Sequence, residues 1–147
     1  MEIITIRQIP AEQADEALLL LADEEEHWPQ YRDRAAVYVL EMDGETAAQA
    51  LVTGEGEDCE LQNMAVSPEY QRLGLGRMLL NWVTDACRGR YGKMIVGTSP
   101  LHVPFYEACG FKVAFWEKDY FLKAYSKPCY EEGQQLRDRC VLEKSLS

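Results

Sequence analysis

Long apolar runs are missing from this chain. None approaches the ~20 residues that a bilayer-spanning helix needs, so the sequence predicts no membrane segment. The N-terminus, Met1-Glu2-Ile3-Ile4-Thr5, lacks the basic, apolar and small-residue order of a secretory signal, which points to a cytoplasmic protein. No Cys-x-x-Cys pair occurs, and the five cysteines (Cys59, Cys87, Cys109, Cys129, Cys140) are odd in number. They read as reduced thiols, with no disulfide frame and no metal site. Basic residues are scarce too. Fifteen Lys and Arg face twenty-five Asp and Glu, a net charge of −10, which argues against nucleic acid as a partner. Repeats, low-complexity tracts and linkers are absent, so residues 1–147 are expected to form a single domain, long enough to bury its own core.

The charge that is there is unevenly placed. Residues 1–33 hold nine acids and two bases, and residues 41–60 hold seven acids and no base. Residues 71–93 reverse the sign, with Arg72, Arg77, Arg88, Arg90 and Lys93 against Asp85. A polyanionic ligand finds its most favourable field there.

Periodicity and turn residues predict the elements. Ile3 to Arg7 is a short strand ended by Pro10, and Ala11 to Ala22 is a helix with Ala14, Leu18 and Leu21 on one side. An acidic connector, Asp23 to Trp28, leads to a short helix from Pro29 through Ala36. Val37 to Leu40 and Thr46 to Thr53 are strands joined at Asp43-Gly44, a hairpin turn. Cys59 to Val66 is the next strand; alternation puts Glu60, Gln62, Met64 and Val66 on one face. Further on come a fully buried strand at Met94–Gly97, a helix at Pro104–Cys109 and a strand at Phe111–Trp116. Residues 117–135 read as irregular and aromatic, and Arg139 to Leu142 as a final strand.

The most informative stretch follows the strand that ends at Val66. Ser67-Pro68 stops it, and Gln71-Arg72-Leu73-Gly74-Leu75-Gly76 opens a helix whose apolar face is Leu75, Leu79, Trp82, Val83 and Ala86. The first amides of a helix have no intrahelical partner and carry the positive end of its dipole. Glycines there let a phosphate or pyrophosphate approach the backbone. Gly74-Leu75-Gly76 lacks the third glycine of a dinucleotide fingerprint, and no Gly-Lys-Ser/Thr follows. Downstream stands Phe105-Tyr106-Glu107-Ala108-Cys109-Gly110-Phe111.

These two motifs, in this order, resemble the Q/R-x-x-G-x-G/A and F-Y-x-x-x-G-F elements of the GNAT N-acetyltransferases. The resemblance covers essentially the whole chain, as for a small single-domain bacterial-type member, and is least typical after Phe111. It implies an α/β (α+β) fold, a central mixed, mostly antiparallel sheet flanked by helices. It implies acetyl-CoA as co-substrate and an amine as acceptor, with no metal. The pyrophosphate would lie on the amides of Gln71, Arg72, Leu73, Gly74, Leu75 and Gly76, with Arg77 also among the coenzyme-binding residues. The pantetheine would run along Met64, Ala65 and Val66, with an amide near Met64 facing the thioester oxygen. Tyr106 corresponds to the tyrosine that protonates the departing thiolate, and Glu60 matches the offset of the base glutamate in the histone-type branch. Where the family often has asparagine on the pantetheine, this chain has Ser99, and where a small residue is usual it has His102.

The acceptor stays open at this level. The acidic connector and the tyrosines after Phe111 suit a cationic amine, but small metabolites, polyamines, drugs and protein N-termini all fit the sequence. A homodimer is equally compatible with it. Two other readings use the same turn: a non-catalytic acyl-CoA-binding or regulatory module, and a nucleotide-phosphate binder. The sequence favours direct transfer without an acetyl-enzyme, because Cys59 stands between Asp58 and Glu60, and Cys87 and Cys109 look like packing residues.

Overall fold

The computed structural model of the chain describes residues 2–147, and at Glu55 the backbone only. In order, the elements are β1 (Ile4–Ile9), α1 (Glu16–Ala22), α2 (Pro29–Arg32), β2 (Ala36–Met42), β3 (Glu45–Glu55), β4 (Asp58–Val66) and α3 (Leu75–Cys87). Then follow β5 (Lys93–Thr98), α4 (Val103–Ala108), β6 (Lys112–Glu117), α5 (Tyr120–Ala124), β7 (Tyr130–Glu131), β8 (Gln134–Gln135) and β9 (Arg139–Ser145). Seven strands form one sheet in the order β1-β2-β3-β4-β5-β9-β6. Its pairings are antiparallel except between β4 and β5. The fold is thus the mixed, mostly antiparallel sheet with flanking helices that the sequence implied.

Both faces of the sheet are covered, which is why Val37-Tyr38-Val39-Leu40 is apolar without alternation. Tyr38 and Leu40 face α3, where Leu75, Leu79, Leu80 and Val83 are buried against them and against Ala50, Val52 and Leu61. Val37, Val39 and Leu51 turn the other way, onto Leu19, Trp28 and Tyr31 of the α1–α2 layer. Trp82 lies at the margin of α3's apolar face, 40% exposed and edge-on to Tyr38.

The first helix is shorter than its composition suggests. Ala11–Gln13 is a single 3-10 turn, Ala14 is extended, and α1 restarts with Asp15 as its cap, its carboxylate accepting the Leu18 N–H at 3.0 Å. The break resets the helical phase, so Leu18 and Leu19 are buried and Leu21, expected inside, is 53% exposed. The fully buried Gln49 of β3 fixes this corner. Its Oε1 accepts the Asp15 N–H at 2.8 Å, and its Nε2 donates to the Asp15 carbonyl at 3.1 Å. Gln49→Leu would leave the Asp15 N–H unpaired, while the Asp15 carbonyl would keep only its bond from the Leu19 N–H, and a loss of about 2 kcal/mol in urea-unfolding stability is expected. Unchanged stability would contradict this account of the corner.

Residues 117–135 are ordered rather than irregular. They carry α5 and the two-stranded β7–β8 hairpin, in an excursion from the sheet that closes on itself at its neck. There the Phe121 N–H donates to the Arg137 carbonyl at 2.9 Å, and the Asp119 N–H donates to Asp138 Oδ1 at 2.9 Å. The strand at Met94–Gly97 also differs from expectation. Met94 and Val96 are buried, but Ile95 and Gly97 are only half-buried.

Candidate active site

The site begins where two neighbouring strands part. Strands β4 and β5 pair in parallel only from Asp58 to Leu61 and from Lys93 to Val96. Beyond that β4 continues to Val66, hydrogen-bonded on its other side to β3. A wedge opens between the two strands, and on that side the edge of β4 from Gln62 to Val66 pairs with no strand.

A β-bulge sets which side chains line the wedge. Val52 pairs with Leu61 but Leu51 pairs with Asn63, so Gln62 is an extra residue in β4. Strict alternation of Glu60, Gln62, Met64 and Val66 therefore does not hold. Glu60 and Gln62 lie on the α1–α2 face; there Gln62 Nε2 donates to Thr53 Oγ1, the residue paired with Glu60. Asn63 joins them on that face, and Met64 and Val66 turn toward α3. Sequence reasoning missed Asn63, because a bulge becomes visible only once the partner strand is known.

At one end of the wedge a cavity of about 400 Å³ lies over the turn into α3. Gly74 caps that helix at φ +78°, and Arg72 also has positive φ, +67°. The amides from Arg72 to Arg77 donate to no carbonyl among the described residues, since the first helical bond runs from Met78 N–H to Gly74 O. Gln71 braces the turn by donating through Nε2 to the Val66 carbonyl at 3.0 Å. A Cβ on Gly76 would meet Val66 Cγ2 at 3.3 Å and Met64 Cε at 3.4 Å, so glycine lets the helix start lie against the end of β4. Leu73, also singled out from the sequence, is 58% exposed and lines neither this cavity nor the one that fills the wedge.

A second cavity, about 540 Å³, fills the wedge itself. One wall is α4 and the turn before it, carrying Ser99, His102, Phe105 and Tyr106. Tyr106 is buried, edge-on to Phe105 and Phe111, and its hydroxyl has no hydrogen-bond partner among the described residues. Burial pushes the phenol pKa up, so it stays protonated at neutral pH. Ser99 Oγ donates to the Glu131 carboxylate, which also sits 3.1 Å from His102 Nε2, so the β7–β8 hairpin is pinned to this wall. Glu60 is half-buried on the facing strand.

The remaining wall is built around Asp23, at the end of α1. Its carboxylate accepts from Tyr125 Oη at 2.6 Å, Tyr31 Oη at 2.9 Å and the Glu24 N–H at 2.8 Å, and lies 3.3 Å from His27 Nδ1. Burial, then the Asp23 charge, pushes the Tyr31 phenol up; Tyr125 moves the same way, from burial and its bond to Asp23. His27 stacks on Tyr125, and Ser126 binds Glu26 through its N–H at 2.9 Å and its hydroxyl at 2.6 Å. The connector between α1 and α2 is thus strapped to the late excursion. The sequence alone made Asp23 one acid of an exposed acidic loop; its side chain is 8% exposed.

A splayed parallel pair with a phosphate-ready turn at its end is a specific arrangement, and known proteins share it. Residues 33–113 match the model of the acetyltransferase (GNAT) domain. The chain belongs to the GNAT acetyltransferase family. It is 31% identical over 127 residues, 82% of either chain, to an uncharacterized N-acetyltransferase of Bacillus subtilis, YvbK. An acetyltransferase structure from Bacillus cereus, titled IAA acetyltransferase, superposes with a TM-score of 0.91 at 30% identity, covering 98% of this chain and all of the other. A GNAT acetyltransferase from Elizabethkingia anophelis with acetyl-CoA bound gives 0.90 at 28% identity, over 97% and 98% of the two chains. As a GNAT protein with relatives so named, the chain is an acyl-CoA-dependent N-acetyltransferase.

In this GNAT chain the residues singled out from sequence come together around the one wedge. Gln71, Arg72, Gly74, Leu75, Gly76 and Arg77 line the smaller cavity. Glu60, Met64, Ala65, Ser99 and Tyr106 line the larger, and Val66 borders both. Of the cysteines only Cys109 reaches either cavity, and burial pushes its thiol up. Cys59 and Cys87 are buried together away from the wedge; their mutual hydrogen bond and burial push the Cys59 thiol up.

Proposed function

We propose that this chain moves the acetyl group of acetyl-CoA directly to a primary amine, with both substrates bound in the wedge between β4 and β5. The observation that supports it most is the continuity of the β4 edge, paired with no strand beyond Leu61, with the unpaired amides of Arg72 to Arg77. It offers a strand-like partner for the pantetheine amides and, at its end, a seat for the pyrophosphate. The glycine at 76 and the positive φ at Gly74 fit such a ligand, since side chains at either position would fill or strain the seat.

Three residues take the chemical roles. Glu60 accepts the proton of the incoming ammonium, directly or through a water. A backbone amide near Met64 donates to the thioester oxygen as negative charge develops there. Tyr106 donates its phenolic proton to the departing thiolate. Ser99 donates its hydroxyl proton to Glu131 and keeps its oxygen as an acceptor for a pantetheine N–H.

No cysteine is placed to carry the acetyl group: Cys109, the one at a cavity, has its thiol held protonated by burial. Incubation with acetyl-CoA and a panel of amines is expected to release free thiol, and Cys59→Ala, Cys87→Ala and Cys109→Ala should each retain turnover. Acetyl-cysteine on the intact protein, formed before amine is added and chased by it, would overturn direct transfer.

A further inference from the structure

We infer that the chain forms a two-fold symmetric dimer in which β6 pairs antiparallel with β6 of a second copy. The inference is independent of the acetyl-transfer reading. It rests on an uncovered sheet edge, on a bulge within it, and on the charges at its two ends.

Strand β6, Lys112–Glu117, ends the seven-stranded sheet, and its outer side pairs with no strand. Sheet edges are commonly blunted by charge, proline or cover, because their open backbone groups invite another chain. The opposite edge, β1, follows that pattern with exposed Thr5, Arg7 and Gln8. The middle of β6 does not. Val113 is 42% exposed, Phe115 55% and Trp116 52%, and none of the three lines either cavity of the wedge.

The bulge decides what this edge accepts. Val113 pairs with Leu142 of β9 and Phe115 with Val141, which leaves Ala114 as an extra residue. Strict alternation would set Lys112 and Glu117 on opposite faces. With Ala114 out of phase, Lys112, Phe115 and Glu117 share the face of Glu143, Val141 and Arg139. Val113 and Trp116 share the other face, with Leu142 and Cys140. The strand is therefore symmetric about Phe115 in the way its side chains face.

Its chemistry follows the same symmetry. Laid antiparallel on a copy of itself, with Phe115 at the two-fold axis, the strand sets Phe115 against Phe115 of the partner subunit. Val113 then meets Trp116 of the partner subunit, and Lys112 meets Glu117 of the partner subunit. Aromatic, aromatic–β-branched and opposite-charge pairs are the cross-strand contacts that stabilise antiparallel sheets. Glu117 has room for its lysine, since both Arg139 nitrogens bind its Oε1 and leave Oε2 to accept. A second copy supplies this complementary order by symmetry alone, and the contact closes on itself. Both apolar edges are consumed, and the polar β1 edges are left outermost. One strand pair with its side chains buries about 1,200 Å² or less, the low end of specific interfaces, so the dimer should dissociate on dilution.

Light scattering over a dilution series, with hydrogen exchange read at β6, tests this. The wild type is expected at twice the chain mass when concentrated, with slower exchange across residues 112–117 than in the dilute monomer. Phe115→Lys sets two like charges at the axis and should hold the protein monomeric throughout, with a folded circular dichroism spectrum. Lys112→Glu opposes like charges at both ends and should weaken the dimer by about ten-fold or more. Ile3→Lys, beside the opposite edge strand, should leave it intact. A wild type that stays monomeric when concentrated, or whose mass climbs past two copies, overturns the pairing. So does a dimer that Phe115→Lys leaves intact or that Ile3→Lys dissolves. An unweakened dimer in Lys112→Glu overturns it too, whether or not Phe115→Lys folds.

Discussion

Gly74→Glu is expected to weaken acetyl-CoA binding by about 100-fold or more in a calorimetric titration, equivalent to ~2.7 kcal/mol. Two effects act together. Gly74 has φ +78°, a conformation in which a side chain costs about 1 kcal/mol. Its Cβ would also project into open space at the mouth of the smaller cavity, so a glutamate brings negative charge against the pyrophosphate. Gly44 separates the two. It turns the β2–β3 hairpin at φ +86°, also with nothing near its Cβ, and lies outside both cavities. Gly44→Glu should cost stability by about the same 1 kcal/mol of backbone strain, read as a lowered Tm, and leave coenzyme affinity untouched. Affinity within about three-fold of wild type in Gly74→Glu would remove the turn from the binding site.

Tyr106→Phe is expected to lower kcat by about 100-fold, the lower range for losing a general acid, with acetyl-CoA affinity within about two-fold of wild type. The hydroxyl makes no bond within the described protein, so the ring should keep its packing against Phe105 and Phe111. Burial holds the phenol protonated, so its loss should cost rate equally across the neutral range. Glu60→Gln should behave differently: its deficit is expected to shrink as pH rises and free amine replaces ammonium. A Tyr106→Phe enzyme with unaltered kcat would take the proton-donor role away from this residue.

The parts of the site that were legible in the sequence are those made by local contacts. The α3 turn depends on glycines two residues apart and on a helix whose apolar face repeats every three to four residues. The β2–β3 hairpin was legible from Asp43-Gly44, where both residues have positive φ. Tyr106 was carried by its own motif. What could not be read depends on pairings between distant segments. The bulge at Gln62 exists only relative to β3, and it moves Asn63 onto the α1–α2 face and into the wall of the wedge while Met64 turns to the α3 face. Asp23 looks like its neighbours Glu24, Glu25 and Glu26 until Tyr31 and Tyr125 are folded onto it. That Ser99 donates to Glu131 could not be read either, since the β7–β8 hairpin brings that carboxylate from 32 residues away. Leu21 was misplaced for a more local reason, the phase break at Ala14 and Asp15 that neither residue announces in sequence.

A crystal structure with acetyl-CoA bound tests the central claim most directly. The account predicts the pantetheine along the β4 edge from Met64 to Val66 and the pyrophosphate on the amides of Arg72 to Arg77. It also predicts the sulfur within hydrogen-bond reach of the Tyr106 hydroxyl. Acetyl-CoA bound outside the wedge, or a sulfur facing away from Tyr106 with another proton donor beside it, would contradict it.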